Sequence, residues 1–403
     1  MRASRRTCAL AGAIAAVATA AEPAPAAPVT VVKGDHAVER EDPLVPPSSQ
    51  TYMRGPPGRP VAVGSSRGTR AVAKALESAL RRKSLTRSRY NRYRRAYGRA
   101  RSVRRRLRGA RRAQLGYVIG SLEGIAARGR LGATRMPPLF VQLERNTQYW
   151  PSMRYPVAGD QVSFRGSELL YQYYPGRGLQ LQPLSTFKKA NNMHGACTKG
   201  TGPCRREGLR RLLDEMTGQA VRRSSRFIAW EYMFSFGGGV PPWISAMAQG
   251  SALQAYARAS ELLGEPRYLD TARRALGAFE TGPPVGVRAR GFRGGVHYLQ
   301  YSFAPRLYIF NAFVASLLGL YDYSRIADDR RARGLFDQGE PEARREIPYS
   351  DTGSWSLYSY RGRRSTPPYH ELLREVLQSM CTRRLGDVYC SYAARYRRYQ
   401  SAH

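Results

Sequence analysis

ISAMAQGSALQAYARASELLG, residues 244–264, repeats its apolar side chains with the spacing of an amphipathic α-helix. Gly264 ends the pattern and Pro266 follows just beyond it, which is typical of a helix C-terminus. RYLDTARRALGAFET, residues 267–281, then repeats the helical period after a very short connection. Two long helices joined by a short loop form a helix hairpin, so this stretch predicts hairpin architecture.

The same pattern continues from about Glu207 to the end of the chain. Further amphipathic segments are LRRLLDEMTGQAVRRS at 209–224, PRLYIFNAFVASLLGLYDYSRIA at 305–327 and YHELLREVLQSMC at 369–381. No β-α-β alternation interrupts them. We therefore predict a mainly α fold, an incomplete (α/α) toroid of helix hairpins, with residues 205–403 as its helical C-terminal domain.

The region before this domain has a different composition. Residues 113–130 are amphipathic and helical in pattern, whereas residues 139–187 place aromatic residues, glycine and proline between short apolar runs. Such runs predict a few short strands packed against the helices. Residues 113–204 are thus expected to form the N-terminal part of the folded region, with a small irregular or β portion.

Residues 28–70 are rich in proline, glycine, serine and valine without a clear period, which predicts a flexible linker. Residues 71–112 form a basic segment in which arginine alternates with tyrosine, either helical or disordered. Residues 84–112 suit adhesion to a polyanion such as a cell-wall or membrane-surface polymer. A solvated basic helix without a specific partner is the alternative interpretation.

The charge of the whole chain supports an anionic partner. It has 403 residues with 66 Lys and Arg against 29 Asp and Glu, a formal net charge of +37. A charge of this size indicates an acidic glycan, an anionic surface or nucleic acid as partner, or a general arginine bias. Because the N-terminus predicts export, an acidic polysaccharide is the expected partner and a specific nucleic acid is not.

The first 27 residues have the pattern of a secretory signal peptide. Arg2, Arg5 and Arg6 precede an apolar stretch at 8–21, and small residues follow. The stretch is too short to span a bilayer as a mature helix, so cleavage is expected between residues 21 and 27. The predicted location is therefore the cell exterior, the cell surface or the periplasm.

Cysteine usage agrees with export. Without Cys8 four cysteines remain, and the simplest pairing joins Cys197 to Cys204 and Cys381 to Cys390 across short glycine-containing loops. A zinc site is the alternative, but neither pair has C-x-x-C spacing and no histidine clusters with them. We expect no catalytic metal and no cofactor, and the sequence leaves the oligomeric state open.

Three segments share their motifs and order with one enzyme family. They are WISAMAQG at 243–250, YSFAPRLYIFNAFVASLLGLYD at 301–322 and IPYSDTGSWSLYSYR at 347–361, followed by Tyr369 and His370. Together they resemble the C-terminal catalytic domain of D-glucuronyl C5-epimerases, over roughly residues 205 to 395. The resemblance implies inversion of D-glucuronic to L-iduronic acid residues within an acidic polysaccharide.

This chemistry removes a proton next to a carboxylate and returns one to the opposite face. It requires a cation on the carboxylate and a proton-transfer group on each face of the ring. By resemblance, Tyr301, Tyr358 and Tyr369 are the candidate proton-transfer residues, and Arg361 is the candidate carboxylate partner. The candidate substrate-binding residues are Trp243, Gln249, Gln300, Asn311, His370 and Tyr174.

One position departs from the family pattern. As the resemblance implies, family members carry an acidic residue immediately before the tyrosine equated with Tyr301, and this chain has Gln300. An amide cannot accept the proton. Either a tyrosine is the base, another carboxylate substitutes, or activity is lost. A polyuronate lyase, which starts with the same proton abstraction, and an inactive glycan- or wall-binding protein are the alternative functions.

Overall fold

The computed structural model describes residues 27–47 and 64–402 and is mainly helical, as predicted. The predicted signal peptide lies outside these residues except for Ala27. The helices are α1 (Ser66–Arg81), α2 (Arg87–Arg106), α3 (Gly109–Ala127), α4 (Met136–Tyr149), α5 (Pro183–Lys199), α6 (Arg206–Gln219), α7 (Ala246–Leu263), α8 (Arg267–Ala275), α9 (Gly277–Glu280), α10 (Phe310–Ile326), α11 (Arg330–Glu346), α12 (Pro367–Thr382) and α13 (Asp387–Ser401). The strands are β1 (Ala27–Lys33), β2 (His36–Asp42), β3 (Gln161–Phe164), β4 (Tyr171–Tyr174), β5 (Gly178–Leu181), β6 (Val221–Arg222), β7 (Ile228–Ala229), β8 (Arg288–Arg290) and β9 (Val296–Tyr298).

The helices from α5 onward form hairpins, as the hydrophobic periodicity predicts. Helix α5 packs on α6, α7 on α8, α10 on α11 and α12 on α13. The first helices of these hairpins also contact one another in the order α5, α7, α10, α12. The mainly α prediction is therefore confirmed, whereas closure of the hairpins into a toroid stays a prediction.

The contact between α7 and α10 is unusually close because glycine lies at the crossing. A Cβ atom on Gly250 would stand 2.8 Å from the Cα of Ser316, and one on Gly319 would stand 2.1 Å from the carbonyl oxygen of Gly250. No side chain fits at either position without moving the backbone. The two glycines therefore set the distance between α7 and α10.

The four first helices run parallel, with their N-termini at one end of the domain. Leu184, Met247, Ala312 and Leu372 come from the first two turns of α5, α7, α10 and α12, and they pack in one apolar cluster. The later turns of α7, α10 and α12 meet at the opposite end, where Asp322 joins them. The parallel direction concentrates four helix N-termini around a single apolar cluster.

Asp322 is a buried carboxylate that ties three helices together. It accepts hydrogen bonds from Gln254 (2.7 Å) and Arg258 (2.9 Å) of α7 and from Arg383 (2.7 and 2.8 Å), just after α12. Burial alone raises the pKa of a carboxyl group, but the bond from Arg383 and the charge of Arg258 hold the pKa of Asp322 below its ordinary value.

The prediction of a flexible linker at 28–70 differs from the structure at both of its ends. Residues 27–42 form the β1–β2 hairpin, and α1 already begins at Ser66. Strand β1 pairs in parallel with β3 in a five-stranded sheet of order β2-β1-β3-β4-β5. Val29, Thr30 and Val32 are all buried, so β1 is covered on both faces and lacks the alternation that would have marked it as a strand.

The basic segment 71–112 is helical, which decides between the two structural interpretations. Tyr93 stacks on Phe140 with ring centroids 4.3 Å apart, and the Tyr97 hydroxyl donates a hydrogen bond to the carboxylate of Glu123. Both tyrosines are therefore buried in the core of the N-terminal part, and adhesion of residues 84–112 to a polyanion stays a prediction. The arginines of α2 occupy its outer faces instead.

Both predicted disulfides are confirmed: Cys197 pairs with Cys204 and Cys381 pairs with Cys390. Each closes a short local loop at the end of a helix, α5 and α12 respectively. Across residues 27–47 and 64–402, every helix is too short or too polar to cross a bilayer.

Replacing Asp322 with asparagine is expected to destabilise the domain by about 3 kcal/mol near pH 7, because it leaves Arg258 and Arg383 without their carboxylate. Since the folded pKa of Asp322 is lowered, its contribution is complete above the ordinary carboxyl pKa and is lost as the pH falls through the folded value. Urea unfolding at several pH values should show the difference between the proteins shrinking in acid.

Asp337→Asn is the matched control, because Asp337 forms an exposed i,i+4 pair with Arg333. This variant is expected to lose less than about 1 kcal/mol. Equal losses in the two variants would contradict a structural role for the Asp322 network.

Candidate active site

One end of the domain holds the N-termini of the first helices of the four hairpins. Helices α5, α7, α10 and α12 begin there, and each helix N-terminus carries unpaired N–H groups and the positive end of the helix dipole. Tyr301 and Tyr358 pack, partly exposed, against the apolar cluster at this end. The location therefore favours a negatively charged ligand within reach of two of the predicted catalytic tyrosines.

Tyr301 follows β9 in a loop that is bound to the start of α7. Ser302 donates its N–H to the carbonyl oxygen of Ile244 (3.0 Å), and the N–H of Ile244 donates to the Ser302 hydroxyl (3.1 Å). The Tyr301 ring lies 5.6 Å from Trp243 and 5.3 Å from Phe303, measured between centroids. These contacts fix the ring while leaving it only half-buried.

Trp243 belongs to the wall behind Tyr301. Its ring stacks on Tyr232 with centroids 4.1 Å apart and planes 6° apart, and its indole N–H donates to the carbonyl oxygen of Phe234 (2.8 Å). The side chain is buried and Tyr232 covers one ring face. The structure thus places Trp243 in an aromatic wall, and its predicted contact with substrate stays a prediction.

Tyr174 lies behind the same site and is held neutral. Gln182 donates a hydrogen bond to its hydroxyl (2.7 Å) and accepts one from Tyr232 (2.9 Å). Burial raises the pKa of Tyr174 well above its ordinary value, and the nearby phenols of Tyr232, Tyr301 and Tyr369 raise it further. Tyr174 therefore lies near two candidate catalytic residues and is unsuited to act as a base.

Tyr358 and Tyr369 meet edge to face, with ring centroids 5.1 Å apart. Tyr369 lies in the first turn of α12. The N–H of Phe310 at the start of α10 donates to the carbonyl oxygen of Tyr358 (3.4 Å), which ties the loop to that helix. The structure therefore brings Tyr301, Tyr358 and Tyr369 to the same end of the domain, and we call these three with Tyr174 and Tyr232 the tyrosine cluster.

Arg361 occupies a turn next to this cluster. Its backbone has a positive φ of 54°, its side chain is exposed, and its guanidinium lies 5.2 Å from the ring centroid of Tyr360. Tyr360 in turn stacks on Phe292 at 3.8 Å. The structure thus places Arg361 on a second aromatic stack, and its predicted contact with a carboxylate stays a prediction.

Gln300 and Asn311 lie at the starts of two of the converging helices. The side-chain oxygen of Gln300 accepts a hydrogen bond from the hydroxyl of Ser245 (2.8 Å), the residue that caps α7. Asn311 is buried in the first turn of α10. Both positions border the apolar cluster, and their predicted contacts with substrate stay predictions.

Gln249 and His370 both bond backbone groups of neighbouring segments, and their predicted contacts with substrate stay predictions. The Gln249 amide is fully buried and bonds both the N–H (3.1 Å) and the carbonyl oxygen (3.0 Å) of Trp230. The buried His370 ring accepts from the N–H of Ser356 (3.2 Å), and its other nitrogen lies 3.1 Å from the carbonyl oxygen of Tyr396. These bonds hold loops in place because each side chain satisfies backbone groups that would otherwise be unpaired.

The sequence did not predict three residues in or beside the cluster, namely Arg177, Gln182 and Tyr232. Arg177 lies on the turn that follows Tyr174. Its buried side chain donates a hydrogen bond to the carbonyl oxygen of Ser235 (2.8 Å). A signal for Tyr232 was present, because aromatic residues alternate at 230, 232, 234 and 236 as in an extended strand. Nothing local in the sequence marked Gln182, whose role depends on two tyrosines brought together by the fold.

Replacing Gln249 with methionine is expected to destabilise the protein by about 2–3 kcal/mol, because the substitution keeps the side-chain length but leaves two buried backbone groups of Trp230 unpaired. Denaturant unfolding measures the loss. Gln338→Met is the control, since the Gln338 side chain is exposed on α11. Unchanged stability in the Gln249 variant would contradict its structural role at Trp230.

Comparison with known proteins gives a family for the helical domain. Residues 223–398 match the family model described as the D-glucuronyl C5-epimerase C-terminus. A D-glucuronyl C5-epimerase of Caenorhabditis elegans is 32% identical over 133 residues, which cover 30% of this chain and 22% of that protein. An uncharacterized protein of Methanocaldococcus jannaschii is 25% identical over 190 residues, 46% of this chain and 62% of that protein. The chain thus spans less than two thirds of the length of either relative.

Proposed function

Residues 223–398 belong to the family of D-glucuronyl C5-epimerase C-terminal domains, and from this we propose that the chain is an exported polysaccharide-modifying enzyme. The proposed reaction converts D-glucuronic acid residues of an acidic polysaccharide into L-iduronic acid residues by inversion at C5. The observation that carries this proposal is the convergence of Tyr301, Tyr358 and Tyr369 at the end where four parallel helices begin.

The electrostatics of this end suit the most difficult step. Removal of the C5 proton places a second negative charge next to the uronate carboxylate, and this charge must be stabilised where it develops. The N-termini of α5, α7, α10 and α12 supply fixed positive potential there without any reorganisation. For a uronate bound at this end, the free energy of the dianionic intermediate is therefore lowered.

The tyrosine cluster divides into fixed and reactive phenols. Burial raises the pKa of Tyr174 and of Tyr232, so both remain protonated and hold the wall through Gln182. Tyr301, Tyr358 and Tyr369 are half-buried and accessible to a sugar. In the proposed mechanism Tyr301 serves one face of the ring and Tyr358, with Tyr369 beside it, serves the other.

In the proposed mechanism the base is a phenolate, since the amide of Gln300 cannot take a proton and already accepts a hydrogen bond from Ser245. One tyrosine removes the C5 proton as phenolate, and a neutral tyrosine on the opposite face returns a proton. Each turnover therefore exchanges the original C5 hydrogen for one from the enzyme, which equilibrates with solvent.

Arg361 is the proposed partner of the substrate carboxylate. Its guanidinium is exposed on a turn beside Tyr358 and reachable by a polymer, whereas Arg177 is buried and bonded to the carbonyl oxygen of Ser235. A planar guanidinium binds a carboxylate through two parallel hydrogen bonds and keeps its charge at every relevant pH. Arg177 is assigned to the support of the aromatic wall.

Export of the enzyme is proposed from the N-terminal pattern and agrees with the two disulfides. Bonds between Cys197 and Cys204 and between Cys381 and Cys390 persist in oxidising compartments. An acidic polysaccharide outside the cytoplasm is then the natural partner for a chain of charge +37.

Incubation with heparosan in heavy water is expected to place deuterium at C5 of its glucuronic acid residues, as measured by mass spectrometry and NMR. Tyr358→Phe should slow incorporation by roughly 10²–10⁴-fold, because it removes one proton-transfer group. Tyr392→Phe on α13 is the control, since Tyr392 lies outside the tyrosine cluster, and it should exchange at the parental rate. Absence of label with heparosan and other glucuronate polymers would contradict the proposed reaction.

Arg361→Gln is expected to lower kcat/KM for exchange by roughly 100-fold, because the developing charge loses its cation. Arg363→Gln, an exposed neighbour in the same loop, should change it little. Full activity of the Arg361 variant, together with a folded but inactive Arg177→Gln variant, would transfer the carboxylate-binding role to Arg177.

A polyuronate lyase is distinguished in the same incubation. It would release unsaturated products that absorb in the near ultraviolet, and product chains would shorten. An inactive glycan-binding protein would retain the polymer without label or cleavage.

A further inference from the structure

A second binding site lies on the N-terminal part of the fold. Helices α2 and α4 and the turn of the β1–β2 hairpin enclose an open groove of about 860 Å³. This volume falls within the roughly 300–1,000 Å³ that ligand sites in proteins occupy. The groove is lined by residues between 34 and 152, and none of the candidate active-site residues lines it.

One wall of the groove is a row of arginines on α2. Arg92, Arg95 and Arg99 occur at helical positions i, i+3 and i+7 and therefore lie on one face of the helix. The rise of 1.5 Å per residue separates Arg92 from Arg99 by about 10 Å. All three are exposed, and none forms an ion pair with a carboxylate of residues 27–47 or 64–402. The row thus presents three available positive charges along one line.

The opposite wall carries acceptors and neutral hydrogen-bonding groups. Glu144 and Gln148 face the groove from α4, and Asp35 faces it from the hairpin turn. The amide of Gln148 donates to the carbonyl oxygen of Gly34 (3.1 Å), which holds the turn against α4. Carboxylate and amide oxygens on this wall suit hydroxyl donors, while the arginines of the other wall suit carboxylates.

The combination identifies the ligand class. A polymer that carries both carboxylates and many hydroxyl groups matches both walls, and about 10 Å of it corresponds to a disaccharide unit. Single-stranded nucleic acid binds through aromatic side chains that stack on its bases, and the described lining of this groove has no aromatic residue. An anionic membrane is a flat surface that cannot enter a concavity.

We propose that the groove between α2 and α4 binds a segment of an acidic polysaccharide outside the tyrosine cluster. The choice of a glucuronate polymer as ligand rests on the proposed function, whereas the groove and its charges are independent of that function. When a polysaccharide occupies the groove, the effective concentration of its other residues at the candidate active site rises, because the second contact becomes intramolecular. Long substrates therefore gain affinity that short ones lack.

The test measures binding of the full chain to heparosan oligosaccharides of defined length at fixed salt. Arg92→Gln, Arg95→Gln and Arg99→Gln combined are expected to weaken binding of long oligosaccharides about tenfold, since three ionic contacts are lost. Glutamine preserves helix propensity. The control combines Arg89→Gln, Arg94→Gln and Arg105→Gln, which removes the same charge from α2 outside the groove, and it should bind nearly as well as the parent.

A steric variant separates the groove from its charge. Ala96 lies in the groove between Arg95 and Arg99, and Ala96→Trp fills the space without altering the charge. It is expected to weaken binding to a similar degree, with circular dichroism and thermal unfolding confirming the fold. Equal binding by the groove and control arginine variants, or undiminished binding by a folded Ala96→Trp protein, overturns the proposal.

Two further measurements decide the ligand class and the relation to catalysis. A single-stranded oligonucleotide of equal charge that competes as well as heparosan overturns the choice of polysaccharide. The groove variant is expected to raise KM for long heparosan but to leave exchange in a tetrasaccharide unchanged. Groove-dependent binding without deuterium exchange supports the proposed groove site and contradicts the proposed reaction. Deuterium exchange that does not depend on the groove supports the proposed reaction and contradicts the groove site.

Discussion

The close parallel contact of α7 with α10 is the constraint on which the domain depends. Gly250 and Gly319 allow the two backbones to touch, and a side chain at either position would separate the helices. The parallel direction, continued by α5 and α12, places four helix N-termini at one end, while the carboxylate of Asp322 binds the later turns at the other. The convergence of these N-termini is therefore a consequence of backbone packing and does not depend on the candidate side chains around them.

The candidate residues Tyr301 and Tyr358 reach this end from loops that hydrogen bonds of the interior hold, whereas Tyr369 lies in the first turn of α12. His370 bonds Ser356 beneath the Tyr358 loop, Gln249 holds the segment at Trp230, and Ser302 ties the Tyr301 loop to Ile244. Each bond satisfies a backbone group, so the loop positions are fixed by polar interactions and not by apolar packing alone. Neutral phenols behind the site and accessible phenols in front of it follow from burial, which differs between otherwise identical side chains.

The N-terminal part contributes a sheet, a basic helix and the α2–α4 groove. Its tyrosines turn inward, as Tyr93 does against Phe140, and its arginines turn outward. Half of the residues of α2 are arginine and none is acidic, so this helix presents a strongly positive surface apart from the tyrosine cluster. Under the proposed function, a polymer with many carboxylates engages both places, and a short oligosaccharide engages one.

The sequence alone determined the mainly helical class, the hairpins, both disulfides and the family of the C-terminal domain, because helical period, cysteine spacing and the SAMAQG and DTGS segments are local features. Only the tertiary structure decided that residues 27–42 pair into a sheet, that Gln249 and His370 face the interior, and that Gln182 joins Tyr174 to Tyr232. It also placed Tyr358 against Tyr369, with Tyr301 packed on the same apolar cluster as Tyr358, while Arg361 lies on a neighbouring stack. Burial and proximity between distant segments depend on how helices pack, and no local pattern records them.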